Sequence, residues 1–157
     1  MECHNLVLLA KLCDFRFLCS IKNSSMQISA SITSTLNNNI VTVKTNETSQ
    51  MLVLPAKATG FGSSINGGEL LMLSLAVCFC NDLYREAKKR NLALSAAEVI
   101  VSGEFGAEGE PGRNFRYRAQ VTSDADPKEI QALIAHTDSV AEIHNTLRKG
   151  INISLDS

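Results

Sequence analysis

Cysteine is the residue type in this 157-residue chain with the most chemistry to offer, and there are five: Cys3, Cys13, Cys19, Cys78 and Cys80. The number is odd, the spacings match no zinc pattern, and three of the five crowd into the first twenty residues. A secreted disulfide scaffold therefore fits poorly, and a reducing, cytoplasmic compartment fits better. Each thiol must then be weighed singly, as chemistry or as packing. For Cys78 the chemical reading is a nucleophile, which acts only as the thiolate. Burial in an apolar helix opposes the thiolate unless a cation or hydrogen bond offsets it. Asp82, one turn on, would oppose it further if it shared the pocket. The alternative reading is a small core residue. Cys80 lies two residues along the same helix, about 200° around it, so a Cys78–Cys80 bridge would need local unwinding.

The element that carries both thiols is the clearest in the chain. Glu69 to Arg90 has no proline or glycine and predicts one long helix. Its first half, Leu70 to Phe79, is apolar almost all round, which predicts burial on every side. Its second half is amphipathic, with Leu83, Tyr84 and Ala87 set against Arg85, Glu86, Lys88, Lys89 and Arg90, and the basic end suits the helix dipole. Before it, Gln27 to Leu36, Asn39 to Val43 and Met51 to Leu54 predict strands, the first two joined by a turn at Asn37-Asn38-Asn39. A loop carrying Gly60, Gly62, Gly67 and Gly68 leads into the helix. After it, Glu98 to Gly106 and Asn114 to Thr122 predict an antiparallel pair turning at Glu110-Pro111-Gly112, with Arg116 and Arg118 on a solvated face. Asp126, Pro127 and Glu129 announce another helix through a capping box. Ser139 and Glu142 suggest a second box and a short helix from about Val140 to a glycine stop at Gly150. Ile151, Ile153 and Leu155 predict a final strand. The order is α+β, not the regular alternation of a doubly wound sheet, with the sheet expected to wrap the central helix.

The bulk numbers bound the function. Apolar residues are 45% and charged residues 20%, the net charge is −1, and tryptophan is absent. A basic nucleic-acid footprint and a base-stacking surface are thereby excluded. Met1 to Ser25 reads differently from the rest. Its apolar run Leu6 to Ala10 is broken by Lys11, Asp14 and Arg16, with Glu2 where a signal peptide has positive charge, and it is too short for a membrane span. Residues 1–25 are expected to be a poorly ordered extension or the product of a start codon placed too early, and residues 26–157 a single domain.

The segment Asn66-Gly67-Gly68-Glu69-Leu70-Leu71, then Leu75-Ala76-Val77-Cys78-Phe79, then Leu83, resembles the signature of the OsmC/Ohr family. In that family an Asn-Pro-Glu-type entry leads to Leu-Leu, and an Ala-x-Cys element follows on a buried helix. Leu147-Arg148-Lys149-Gly150-Ile151-Asn152-Ile153 resembles the family's C-terminal block, so the likeness spans roughly Met26 to Leu155. It implies an OsmC-like fold, an intertwined homodimer with paired central helices, and active sites at the subunit interface. It further implies peroxiredoxin-type reduction of organic hydroperoxides by a peroxidatic cysteine and a resolving cysteine, with an Arg/Glu pair activating the first thiol. No cofactor and no metal are implied, and electrons come from an external dithiol.

Carried over residue by residue, Cys78 takes the peroxidatic position and Ala141 the resolving one, where an alanine cannot form a disulfide. The family's glutamate aligns with Gly68, with Glu69 one step on. Glu69 is either a site acid reached by a shift of the loop or a first-turn acid favoured by the dipole. No arginine lies between Met26 and Tyr84, where the activating one belongs. His144, one turn beyond Ala141, and Cys80 are accessory candidates, with packing the plainer role for each; His136 carries less signal. Two functions follow as expectations: a one-cysteine hydroperoxide reductase resolved by an external thiol, or a dimer holding a small apolar ligand at its interface without turnover.

Overall fold

A computed structural model describes residues 25–156. Apart from Ser25, the expected extension over residues 1–25 lies outside them. The elements run β1 (Ile28–Thr35), β2 (Asn38–Thr45), β3 (Thr48–Leu52), α1 (Gly67–Lys89), β4 (Ala96–Glu104), β5 (Arg113–Thr122), α2 (Pro127–Val140) and α3 (Glu142–Lys149). β1, β2 and β3 form an antiparallel meander in that order, and β4 pairs antiparallel with β5. The class is α+β.

The long helix begins where its sequence says it should. Asn66 is the N-cap: its side chain accepts from Glu69 N–H at 2.9 Å, and Glu69 Oε2 accepts from Asn66 N–H at 2.7 Å, a full capping box. Leu75, Phe79, Leu83 and Ala87 recur every four residues and are all buried. Phe79, Leu83 and Ala87 meet Leu133 of α2 and Ala141, with Ala97, Val99, Tyr117, Ala119 and Val121 of the β4–β5 sheet behind them. That sheet alternates cleanly: Val99 faces Ala119 and Val101 faces Tyr117 across the register. Gly103, at the irregularity between Ser102 and Glu104, leaves room for the Phe115 ring, which a Cβ there would strike.

Several expectations change in three dimensions. α1 is not buried on every side: Leu73 and Val77 are 56% and 50% exposed, because among the described residues only one face of the helix finds a partner. The sheet is two sheets, and only β4–β5 lies substantially against α1; β1 and β3 are exposed throughout, and the meander buries only Val41, with Asn39, Thr42 and Val43 partly covered. Ile151, Ile153 and Leu155 form no strand, since no neighbouring edge pairs with them. The first hairpin turns on Leu36-Asn37, with Asn37 in the left-handed region at φ 57°. The β4–β5 turn sits earlier than Pro111, closed by Glu110 N–H donating to Ala107 O at 3.0 Å, with Gly109 at φ 84°. Asp126 caps α2 through Lys128 N–H at 2.7 Å without a reciprocal bond from Glu129. Ser139 does not cap α3. It is still inside α2, and its hydroxyl donates back to His136 O at 2.6 Å, leaving Ala141 as an N-cap with no side-chain bond.

The α1 seam dominates stability. Leu83→Ala is expected to cost about 2–5 kcal/mol in urea denaturation, as a core cavity does. Val53→Ala, at a side chain 94% exposed, should fall within about 0.5 kcal/mol of the parent chain.

Candidate active site

Cys78 sits midway along α1, where α3 begins. Its thiol donates to Asp82 Oδ2 at 3.5 Å, one turn up the same helix. The backbone of Ile143, in the first turn of α3, lies close enough to the sulfur to favour its thiolate. Asp82 is 3% exposed. Its other oxygen is ion-paired with Arg85 Nη1 at 2.7 Å, and the same nitrogen lies 3.3 Å from Glu142 Oε1. Arg85 Nε also bonds Glu86 Oε1 at 3.0 Å, so one guanidinium serves three carboxylates. Cys78, Asp82 and Arg85 stand at i, i+4 and i+7, one helical face. That spacing was the available sequence signal for Arg85, which enters from the C-terminal side of the cysteine and not from the earlier segment where the family's arginine was sought.

The electrostatics oppose a resting thiolate. Burial pushes the Cys78 thiol up, the Ile143 N–H pulls it partly back, and the Asp82 and Glu142 charges push it up again. Asp82 is itself raised, first by burial and then by Glu142, with Arg85 restraining the rise. Glu86 behaves oppositely. Lys89 Nζ at 2.7 Å and Arg85 hold its carboxyl down to about 2, and His136 Nε2 lies 3.3 Å from its other oxygen. The ligand atoms of Cys78, Asp82 and Glu142 lie within 4.8 Å of one another, close enough to share a metal ion. Arg85 Nη1 bonds both carboxylates of that cluster, so a guanidinium already supplies the cation they call for.

The other candidates are not gathered here. Glu69 is exposed and engaged in the capping box, nine residues or about 13 Å of helix rise from Cys78. Cys80 is a free, half-buried thiol and forms no bridge to Cys78. Ala141, in the resolving position, is fully buried in the core cluster. His144 is 5% exposed and packs edge-on against Phe79 and Tyr117, with ring centroids 5.4 and 4.5 Å away, and it makes no hydrogen bond to the thiol.

A thiol beside a buried carboxylate that is ion-paired with an arginine, on one face of the long helix, is thus the chemical centre of this α+β frame. The chain belongs to the OsmC-like protein family, whose model matches residues 60–156. Solved structures agree in fold. An OsmC-like protein of Mycoplasma pneumoniae is 20% identical with a TM-score of 0.56, over 80% of this chain and 89% of that one. A candidate organic hydroperoxide resistance protein of Vibrio cholerae, with captopril bound in one of its active sites, is 23% identical with a TM-score of 0.53, over 81% and 89%. A candidate redox protein of Lactobacillus casei is 19% identical with a TM-score of 0.51, over 78% and 82%. No curated protein matches the chain. Among the described residues no helix is long and apolar enough to cross a membrane.

The raised thiol gives a direct expectation. Iodoacetamide modification of Cys78, followed by mass spectrometry, should be slow near pH 7.5 and climb only as the pH passes the ordinary thiol value of 9.0. Asp82→Asn removes both a charge and a strong acceptor, so modification at pH 7.5 should quicken several-fold. An unchanged rate would mean that the carboxylate does not control the sulfur.

Proposed function

We propose that the protein is a one-cysteine, thiol-dependent reductase of organic hydroperoxides, with Cys78 as nucleophile and Asp82 as its base. The observation that carries the reading is the Cys78–Asp82 hydrogen bond, oriented by Arg85. A nucleophile, a base within reach and a third group holding the base is the arrangement that lets a weak nucleophile act without a resting charge. The thiol is predominantly neutral, so it must lose its proton as it attacks. Asp82, raised towards neutrality, is matched to take that proton and pass it on.

The cycle balances with one protein thiol. Cys78 sulfur attacks the outer peroxide oxygen, the O–O bond breaks, and the proton taken by Asp82 goes to the departing alkoxide. Cys78 is left as a sulfenic acid and the product is an alcohol. An external thiol attacks the sulfenic acid, releases water and leaves a mixed disulfide. A second external thiol frees Cys78 and leaves with the first as a disulfide. Ala141 makes the external route necessary, since the position that would resolve internally has no sulfur. Ile143 N–H, at the positive end of α3, steadies the charge that develops on sulfur during attack. A reducing cytoplasmic setting would supply the dithiol.

A second copy of the chain completes the unit in this reading. Among the described residues nothing covers the apolar stripe of Leu70, Leu73 and Val77 on α1, most of the meander, or the tail from Ile151 to Leu155. An exposed apolar surface of this kind marks an interaction site. Glu69, at the far end of the same helix, would be a site acid only through such an assembly.

Two outcomes test the reading. With cumene hydroperoxide and dihydrolipoamide, turnover should vanish in Cys78→Ser, persist in Cys80→Ser and fall in Asp82→Asn by about 10²-fold, the usual cost of losing a general base. Asp82→Asn therefore has opposite effects on alkylation and on peroxide reduction, which an unspecific loss of structure would not give. No turnover by the reduced parent chain would end the proposal. Light scattering should report a dimer for the parent chain and a monomer for Val77→Lys; a parent monomer would remove the second copy from the reading.

A further inference from the structure

The first turn of α3 is what meets Cys78, yet little within α3 holds that turn in place. The helix is eight residues long, too short to be stable alone in water. Its N-cap, Ala141, makes no side-chain bond. Among its residues only His144 is buried, and that ring makes no hydrogen bond. Ahead of it, α2 ends without a basic residue in its last turn, which leaves its final carbonyls short of donors.

Two side chains from the second half of α3 reach back and supply those donors. Arg148 Nη1 donates to Asp138 O at 3.0 Å, and Asn145 Nδ2 donates to Ser139 O at 3.0 Å. Arg148 Nη1 also donates to Asn145 Oδ1 at 3.3 Å, so the two form one clasp. The clasp is tied down at a single carboxylate. Asp138 Oδ1 accepts from Arg148 Nη2 and from the Tyr117 hydroxyl, which joins α2, α3 and β5 at one atom. Burial and the bond to Asp138 push the Tyr117 hydroxyl up to about 12, so it stays a donor. Arg148, then Tyr117, hold Asp138 below the usual carboxylate range, so it stays charged. Ile143 stands five residues before Arg148, about 7.5 Å of helix rise, so the angle set by the clasp is passed to the turn beside the sulfur.

We propose that Arg148, acting with Asn145, is a positioning residue for Cys78. By closing the end of α2 from α3 it fixes the corner between the two helices, and with it the approach of Ile143 to the sulfur and of Glu142 to Arg85. Neither side chain bonds the thiol, whose partner is Asp82. The Arg148–Asp138 pair is half-exposed, 47% and 43% at its two side chains, so its contribution to stability is small and its effect is geometric. The inference rests on the reading of Cys78 as the working thiol and names what holds that thiol's surroundings in place.

The test follows the Ile143 backbone nitrogen by carbon-detected NMR while the full chain is titrated upward through and beyond the ordinary thiol value of 9.0. In the unmodified chain that resonance should move as Cys78 ionises, and the movement should be absent in Cys78→Ser. Arg148→Met keeps the apolar stem and removes the clasp. It should cut the Cys78-linked movement by more than half while the circular dichroism stays that of the unmodified chain. Asn145→Ala loses the Ser139 contact and one partner of Arg148, should reduce the movement in the same direction, and serves where Arg148→Met does not fold. Turnover of cumene hydroperoxide should fall severalfold in Arg148→Met with KM unchanged. Undiminished movement in both variants would overturn the proposal, as would an unmodified chain whose Ile143 does not follow the thiol. An unmodified chain that reduces no hydroperoxide but shows the movement, lost in Arg148→Met, would end the hydroperoxide reading and leave the positioning role standing.

Discussion

Everything else in this molecule hangs on one apolar seam, the line of Leu75, Phe79, Leu83 and Ala87 down one side of α1. Burying each of the large members removes a side chain from water for about 1.5–3 kcal/mol. No other element supplies a comparable row, since β1 and β3 are exposed throughout and α2 contributes chiefly Leu133. The seam fixes the azimuth of the helix. Once Phe79 and Leu83 point at the β4–β5 sheet, the positions of Cys78, Asp82 and Arg85 are fixed along its margin, where α3 arrives. The Cys78 thiol is thus placed by its neighbours' burial and not by any contact of its own.

The margin of the seam is also where charge is concentrated. Asp82 and Glu86 are both 3% exposed, an unusual pair one turn apart on a helix. They are separated chemically by what each faces. Glu86 meets Lys89, Arg85 and His136 and stays strongly acidic; Asp82 meets a thiol, a second carboxylate and one shared guanidinium, and is pushed up. Two carboxylates of similar burial are therefore shifted in opposite directions through environment alone.

Much of the fold could be read before any coordinates. The helix over Glu69–Arg90 was legible from its apolar run and its lack of breakers, and the structure extends it only to Gly67–Lys89. Pro127 behind Asp126 marked α2, and alternation marked β4 and β5 to within a few residues. Errors cluster where local pattern and tertiary partner disagree. Ser139 and Glu142 have the spacing of a capping box, but α2 runs on through Ser139, and a helical serine bonds backward. Ile151, Ile153 and Leu155 alternate as a strand does, yet a strand needs an edge to pair with, and alternation cannot say whether one is present.

The site divides in the same way. By itself the sequence determined that a cysteine would lie on the most apolar helix of an α+β domain, with Asp82 and Arg85 stacked above it, because helical spacing is a property of the chain alone. It also showed an alanine, Ala141, at the position where the family resemblance implies a resolving cysteine. Only the tertiary structure decided that Ile143 and Glu142 approach Cys78 and Asp82, and that His144 is sealed between two rings without a partner. Each of these depends on where α3 lands, more than fifty residues further along the chain, and that is set by packing against a seam that no local pattern encodes.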